Sequence, residues 1–316
     1  MATTPKQSGF FIQSNFGSRG NFELVVPNPS GGMSHYWRDN DAASRDWYGP
    51  FNFGGSESVN GVALIQSNFD RHLEVVATIG RRFVRTSRLV HYFRESNPPY
   101  TWRGPAEFGT PVALNTIPTL IQSSFGERGN FEVVVVRPNR GLSHYWRENH
   151  ESGLPWHGPN DFATDHHFTG VSLIQSNFGP GNLELVASTS DLQLVHYWRE
   201  NHRPWTWYGP TVVRGSESTL SNPSLIQSSF GSQGNFELVA PKRSGGLAHF
   251  HRDNDAPDLP WNGPANFGER SILMLSLIQS NFGLGADGDL EVVVVTPEKF
   301  HYRRDEAGTW HGPSHF

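Results

Sequence analysis

The run Ile12-Gln13-Ser14-Asn15-Phe16 comes back five more times in almost the same wording. It recurs at Ile65-Gln66-Ser67-Asn68-Phe69, Ile121-Gln122-Ser123-Ser124-Phe125, Ile174-Gln175-Ser176-Asn177-Phe178, Ile226-Gln227-Ser228-Ser229-Phe230 and Ile278-Gln279-Ser280-Asn281-Phe282. The isoleucines are spaced by 53, 56, 53, 52 and 52 residues, a near-constant period of the size of one four-stranded sheet. A single such unit cannot bury both faces of its sheet, so the six must stack into one body. The 316 residues are therefore read as a single domain with repeats at about 8–60, 61–116, 117–169, 170–221, 222–273 and 274–316.

Within the first unit, Phe10 to Phe16, Asn21 to Val26, Met33 to Arg38 and Trp47 to Pro50 are apolar runs separated by Gly-, Pro- and Asn-rich turns. This is the pattern of an up-and-down sheet, with strands A to D in chain order. Gly at 33 and Pro at 22 residues, with 36% hydrophobic content, suit many short strands and turns and leave little room for helices. Strand A carries no charge in any copy, as befits an inner strand crowded around an axis where an unpaired charge is costly. Strand D is Trp-x-Gly-Pro in every copy. Proline cannot donate to a ladder, which makes D the outer edge. Strand B is almost continuously apolar, as expected of a strand covered on both faces. Four antiparallel strands ordered from axis to rim, repeated six times, predict an all-β, six-bladed β-propeller with about 53 residues per repeat. Each blade is expected to come from one continuous segment, with ring closure resting on blade 6 against blade 1.

Charge and cysteine usage narrow the chemistry. A formal charge of -5 offers no basic surface for a polyanion, so no nucleic-acid partner is expected. No cysteine occurs, which removes disulfides and thiolate metal sites. No stretch is long and apolar enough for membrane insertion, and no classical signal peptide is recognised. A soluble protein is expected, cytoplasmic or released by a non-classical route. Oligomerisation is left open.

Strand C holds the most regular polar set: His35-Tyr36-Trp37-Arg38-Asp39, His91-Tyr92-Phe93-Arg94-Glu95, His144-Tyr145-Trp146-Arg147-Glu148, His196-Tyr197-Trp198-Arg199-Glu200, His249-Phe250-His251-Arg252-Asp253 and His301-Tyr302-Arg303-Arg304-Asp305. By the period of two, the His, the third residue and the acid share one face, and the aromatic and Arg the other. Strand B adds Glu23, Glu74, Glu132, Glu184, Glu237 and Glu291. Each Glu is expected to pair with the strand C His or Arg, and each strand A Gln to satisfy backbone groups near the axis. The strand D tryptophans, Trp47, Trp102, Trp156, Trp207, Trp261 and Trp310, are expected at a groove where an indole can stack on a sugar face. No Gly-x-Ser-x-Gly, His-Glu-x-x-His or phosphate-loop pattern occurs, and the ionisable residues are spread evenly around the ring. No enzyme, metal or cofactor is expected. The Asp39-Asn40-Asp41 and Asp253-Asn254-Asp255 clusters read as polar turns.

The succession [Asn/Asp/His]-[Phe/Leu]-Glu-[Leu/Val]-Val, Gly-Leu-x-His-Tyr-Trp and Trp-x-Gly-Pro resembles the repeats of tectonin-like and PLL-like β-propeller lectins, over Phe10 to Pro313. The resemblance implies a multivalent carbohydrate-binding protein that takes fucosylated or O-methylated glycans, or glycoproteins, between adjacent blades. The candidate sugar-binding residues are Trp37, Arg38, Trp47, Phe93, Arg94, Trp102, Trp146, Arg147, Trp156, Trp198, Arg199, Trp207, Arg252, Trp261, Arg304 and Trp310. Blades 1, 3 and 4, with Trp37, Trp146 and Trp198 at the third position of strand C, are expected to hold sugar best. A protein-interaction scaffold or toxin-accessory propeller is the alternative, suggested by the basic excursion of blade 2 with Arg81, Arg82, Arg85 and Arg88.

Overall fold

The structure, a computed structural model, describes residues 7–80, 85–281 and 288–316. Arg81, Arg82 and Phe282 lie outside the described residues. Blade 1 consists of Phe11–Gln13, Phe22–Pro27, Met33–Arg38 and Trp47–Phe53, and blade 2 of Val59–Gln66, Leu73–Gly80, Thr86–Arg94 and Trp102–Ala113. Blade 3 is Ile121–Gln122, Phe131–Val136, Leu142–Arg147 and Trp156–Phe162; blade 4 is Phe168–Gln175, Leu183–Thr189, Leu194–Arg199 and Trp207–Val212. Blade 5 is Ser224–Gln227, Phe236–Pro241, Leu247–Arg252 and Trp261–Phe267; blade 6 is Met274–Gln279, Leu290–Val295, Lys299–Arg304 and Trp310–His315. Each sheet is antiparallel with its strands in the order A-B-C-D, the six-bladed β-propeller that the repeat predicts.

The ring is closed by the residue that opens each repeat's polar half. The Oε1 of Gln66, Gln122, Gln175, Gln227 and Gln279 accepts the backbone N–H of Asn15, Asn68, Ser124, Asn177 and Ser229 in the preceding blade, at 2.7–2.9 Å. Gln13 completes the circle by accepting from Asn281 N at 2.9 Å. Each inner strand is thus stitched to the next by a side chain that supplies the acceptor a narrow axis cannot supply from a ladder. Residues just before blade 1 reach across to blade 4, where Ser8 N donates to Leu173 O and Leu173 N to Ser8 Oγ, both at 3.0 Å.

The core lies between blades rather than inside any of them. Phe131, Val133 and Val135 of blade 3 pack with Ala63, Ile65 and Val76 of blade 2, and the other clefts are filled in the same way. Strand B is accordingly buried along its length, Glu included. That carboxylate stands one step diagonally from the strand C His on the same face and meets it directly. The Glu–His distances are 2.7 Å for Glu23–His35, 2.8 Å for Glu74–His91, 2.7 Å for Glu132–His144, 2.8 Å for Glu184–His196, 2.7 Å for Glu237–His249 and 2.6 Å for Glu291–His301. The Asp-Asn-Asp clusters are indeed turns: Asp41 accepts Ser18 N, Ser18 Oγ and Arg19 N, and Asp255 repeats this with Ser232 and Gln233.

Burial pulls the His144 pKa below the usual imidazole range, against the opposing pull of Glu132. Replacing it strands a buried carboxylate. His144→Phe is expected to cost about 3–5 kcal/mol, whereas Glu132→Gln, which keeps a hydrogen-bonding side chain, should cost about 1 kcal/mol. In differential scanning calorimetry, at roughly 2 °C per kcal/mol for a chain of this size, the Phe variant should melt several degrees below the Gln variant. Equal midpoints would show that the pair carries no such weight.

Candidate functional site

The polar set of a blade does not form one site; it is split between two clefts. Strand B Glu, strand C His and the third strand C residue face the following blade. Strand C Arg and strand D Trp face the preceding one, as the register Phe22↔Arg38 and Arg38↔Trp47 requires. Grouping Trp37 with Trp47, as the repeat suggests, is therefore corrected: Trp37 shares its cleft with Arg94 and Trp102 of blade 2. Phe93 likewise faces Arg147 and Trp156, Trp146 faces Arg199 and Trp207, and Trp198 faces Arg252 and Trp261. His251 faces Arg304 and Trp310, and Arg303 faces Arg38 and Trp47.

Contacts across the clefts carry this assignment. His35 lies edge-on to Trp102 at 5.7 Å, His91 to Trp156 at 5.9 Å, His144 to Trp207 at 6.1 Å, His196 to Trp261 at 6.2 Å and His249 to Trp310 at 5.5 Å. Arg38, Arg94, Arg147, Arg199 and Arg252 each feel the Glu of the preceding blade. Burial pulls Arg38 down to about 10 while Glu291 pulls it back up, and Arg252 is pulled down to about 10 against Glu184. Arg94, Arg147 and Arg199 are lowered by the same desolvation and opposed by Glu23, Glu74 and Glu132. Strand C ends in the Arg and strand D begins with the Trp, so these residues lie toward the end of the ring that carries the A–B turns and C–D loops.

Three sets of residues in these clefts escape the repeat motif. The strand D indoles are stacked on a Phe six residues after the Trp of the preceding blade. The centroid distances are 3.9 Å for Phe53–Trp102, 4.0 Å for Phe108–Trp156, 4.4 Å for Phe162–Trp207, 3.9 Å for Phe267–Trp310 and 4.4 Å for Phe316–Trp47. Val213 holds this place beside Trp261. The spacing Trp-x-Gly-Pro-x-x-Phe was the available signal. The third strand C residue stacks on the x of Trp-x-Gly-Pro: Trp37 on Tyr48 at 4.5 Å, Trp146 on His157 at 5.5 Å and Trp198 on Tyr208 at 4.5 Å. Phe16, Phe125 and Phe178, the last letter of the repeated run, reach the arginines of the next blade.

Between blades 1 and 2 the cleft widens into a pocket of about 360 Å³ lined by Phe53, Glu57, Tyr92, Trp102 and Pro105. Burial pushes the Tyr92 phenol up, helped by Glu57. Glu57 in turn takes Arg88 at 2.7 Å, and Arg88 also reaches Glu107 at 3.0 Å, so this arginine of the basic excursion is held within blades 1 and 2. At the cleft between blades 3 and 4, Tyr197 is pushed up to about 12 by burial, with Asp165 adding to the shift.

No protein-family model matches the chain, and no curated protein matches it in sequence. Solved structures do. The fucose-specific lectin from Aleuria aurantia superposes with a TM-score of 0.65 at 14% identity, over 98% of this chain and 96% of that one. SapL1 lectin, in complex with α-methyl fucoside, gives 0.60 at 11% identity over 99% of both chains. NanB sialidase from Streptococcus pneumoniae gives 0.62 at 8% identity, over 93% of this chain and 66% of that one. At such identities the likeness is one of fold.

The arginines differ in how they are held. Arg147 donates Nε–H to Asn149 Oδ1 at 2.8 Å, and Asn149 donates to the Gly129 carbonyl. Asn201, at the same offset from Arg199, donates to Pro180 O instead. Asn149→Ala should therefore leave a buried guanidinium N–H and a carbonyl unpaired and cost about 1–3 kcal/mol, whereas Asn201→Ala should stay within about 0.5 kcal/mol. Thermal or urea denaturation of the two variants decides the point; equal losses would refute the distinction.

Proposed function

We propose that the chain is a multivalent carbohydrate-binding protein whose sites lie in clefts between blades. The observation that carries this reading is the recurrence, at successive clefts, of a guanidinium and an indole from one blade against a carboxylate–imidazole pair and an aromatic ring from its neighbour. Guanidinium N–H groups suit sugar oxygens, and aromatic faces suit the C–H face of a pyranose. The likeness in fold to fucose-binding lectins supports the same class of ligand, fucosides or O-methylated sugars, as does the motif resemblance to tectonin-like and PLL-like repeats. Several weak sites on one rigid ring would gain avidity on a glycosylated surface.

The way the carboxylates are held supports binding rather than turnover. Glu23 and Glu132 accept a Ser hydroxyl on one oxygen, at 3.2 and 2.9 Å, and the His on the other, at 2.7 Å in both blades. A carboxylate pinned at both oxygens is poorly placed to attack or to shuttle a proton.

Trp37→Ala and Trp146→Ala provide the test. Both rings are half-buried and stack on an outer-strand neighbour, so the fold should survive, while lost stacking of about 0.5–1.5 kcal/mol should weaken each affected site by up to about tenfold. Isothermal titration calorimetry with L-fucose, D-galactose and their O-methylated forms reads this directly. Absence of heat from every sugar with the unaltered protein would end the proposal.

A further inference from the structure

The six blades are of two kinds, and they alternate. In blades 1, 3 and 5 strand B opens with Phe22, Phe131 and Phe236, six residues after Phe16, Phe125 and Phe230. In blades 2 and 4 it opens with Leu73 and Leu183, four and five residues after Phe69 and Phe178, and in blade 6 with Leu290. The longer turn ends in Gly20, Gly129 or Gly234, whose carbonyl takes Asn40, Asn149 or Asn254. Those asparagines accept Nε–H of Arg38, Arg147 and Arg252 at 2.8, 2.8 and 2.7 Å, and the guanidinium lies over the blade's own Phe at 4.2, 4.2 and 3.9 Å. In these blades the flat face and the Nε of the arginine are already taken.

In blades 2 and 4 neither partner is there. A leucine has no ring, and the place of the asparagine is taken in blade 2 by Ser96, which donates to Asp70 O, and in blade 4 by Asn201, which donates to Pro180 O. Arg94 lies between Phe16 at 5.6 Å and Tyr100 at 5.4 Å; Arg199 lies between Phe125 at 5.8 Å and Trp205 at 5.5 Å. Tyr100 and Trp205 stand over their clefts with φ of 57° and 64° and exposed rings, an uncommon backbone for bulky residues. Among the described residues, the buried side-chain atoms of the cleft motif without a hydrogen-bond partner are Arg94 Nε, Arg199 Nε, His144 Nδ1, Tyr197 Oη, Trp207 Nε1 and Trp310 Nε1, together with the Oδ1 atoms of Asn130, Asn182 and Asp289. Every one of these that can donate a hydrogen bond faces the cleft between blades 1 and 2, 3 and 4, or 5 and 6, whereas the Asn182 and Asp289 oxygens, acceptors only, share a face with Glu184 and Glu291 toward the other clefts. Buried polar groups are rarely left unmatched without a reason.

We infer that ligand is held in these three alternate clefts, a third of a turn apart, and not in the other three. This rests on the sugar-binding reading and revises the expectation that blade 4 contributes a leading site, since Trp198 faces the locked Arg252. The unmatched groups include guanidinium and indole N–H donors, and the Glu23 and Glu132 oxygens are engaged by Ser and His. The occupant is thus a neutral glycoside presenting ring, ether or hydroxyl oxygens as acceptors, with an apolar face toward Tyr100 or Trp205. The cleft between blades 5 and 6, with His251 in place of an indole, is the weakest of the three.

Calorimetry and crystal soaks with the same fucose and galactose series test this. The expected result is about three equivalents per chain, with sugar density in the three named clefts. Arg94→Lys and Arg199→Lys keep the charge and remove Nε, and each should weaken its own cleft at least tenfold and empty it in the soak. Tyr100→Ala and Trp205→Ala, at exposed positions that do not endanger folding, should weaken the same two clefts severalfold. Sugar in all six clefts, sugar in the Asn-locked clefts, or a stoichiometry and affinity unchanged in both the Lys and Ala variants would overturn the inference while leaving sugar binding intact. No binding of any of these sugars would overturn both.

Discussion

A carboxylate buried between two sheets has to be answered by something, and here it is answered twice. The strand C imidazole of its own blade meets it at hydrogen-bond distance, and the arginine of the next blade faces it across the cleft. The first contact sets the register of strands B and C, because a shift of one residue would turn the imidazole to the other face. The second makes each blade an electrostatic partner of its neighbour. Apolar packing supplies the bulk of the cohesion between blades. These paired charges, with the circle of glutamine acceptors at the axis, determine how blades meet, and they place polar groups at depth in clefts that would otherwise be closed hydrophobic seams.

Much of this was legible in the chain. A repeat whose inner strand lacks charge and whose outer strand carries proline dictates both the number of blades and the order of strands. The pairing of Glu23 with His35 and the backbone role of Gln13 follow from facing and burial alone. What could not be read was the partnership across the cleft. Periodicity places Trp37 and Arg38 on opposite faces, but a motif read within one repeat hides that Trp37 belongs with Arg94, 56 residues later than Arg38. Such contacts depend on how one sheet is rotated against the next, which no local pattern encodes. Phe53 was overlooked for the same reason, since its partner Trp102 lies in another blade.

The alternation of blades was also present in the letters, as Phe or Leu at the head of strand B and as turns of unequal length, but the conspicuous sameness of the motif masked it. Inner strands follow the same rhythm, with 3, 2 and 4 residues in blades 1, 3 and 5 and 8, 8 and 6 in blades 2, 4 and 6. The structural repeat is therefore a pair of blades. Within the first two pairs, the motif is retained while the surroundings of one arginine change from saturated, at Arg38 and Arg147, to unsaturated, at Arg94 and Arg199. In blade 2 a serine, Ser96, replaces the asparagine, and in blade 4 a turn one residue shorter leaves Asn201 on the Pro180 carbonyl.

Because strands A and C run toward the same rim in every blade, the strand C arginines all lie toward one flat end of the disc, while the linkers between blades occupy the other. On the proposed sugar-binding reading, a glycosylated surface held through those arginines would meet the disc flat, its axis upright like a coin on a table. The face that carries the linkers would then point away from that surface. Cargo fused there would be held at a uniform height and with a fixed tilt, which makes the geometry of attachment a property of the ring and not of the tether.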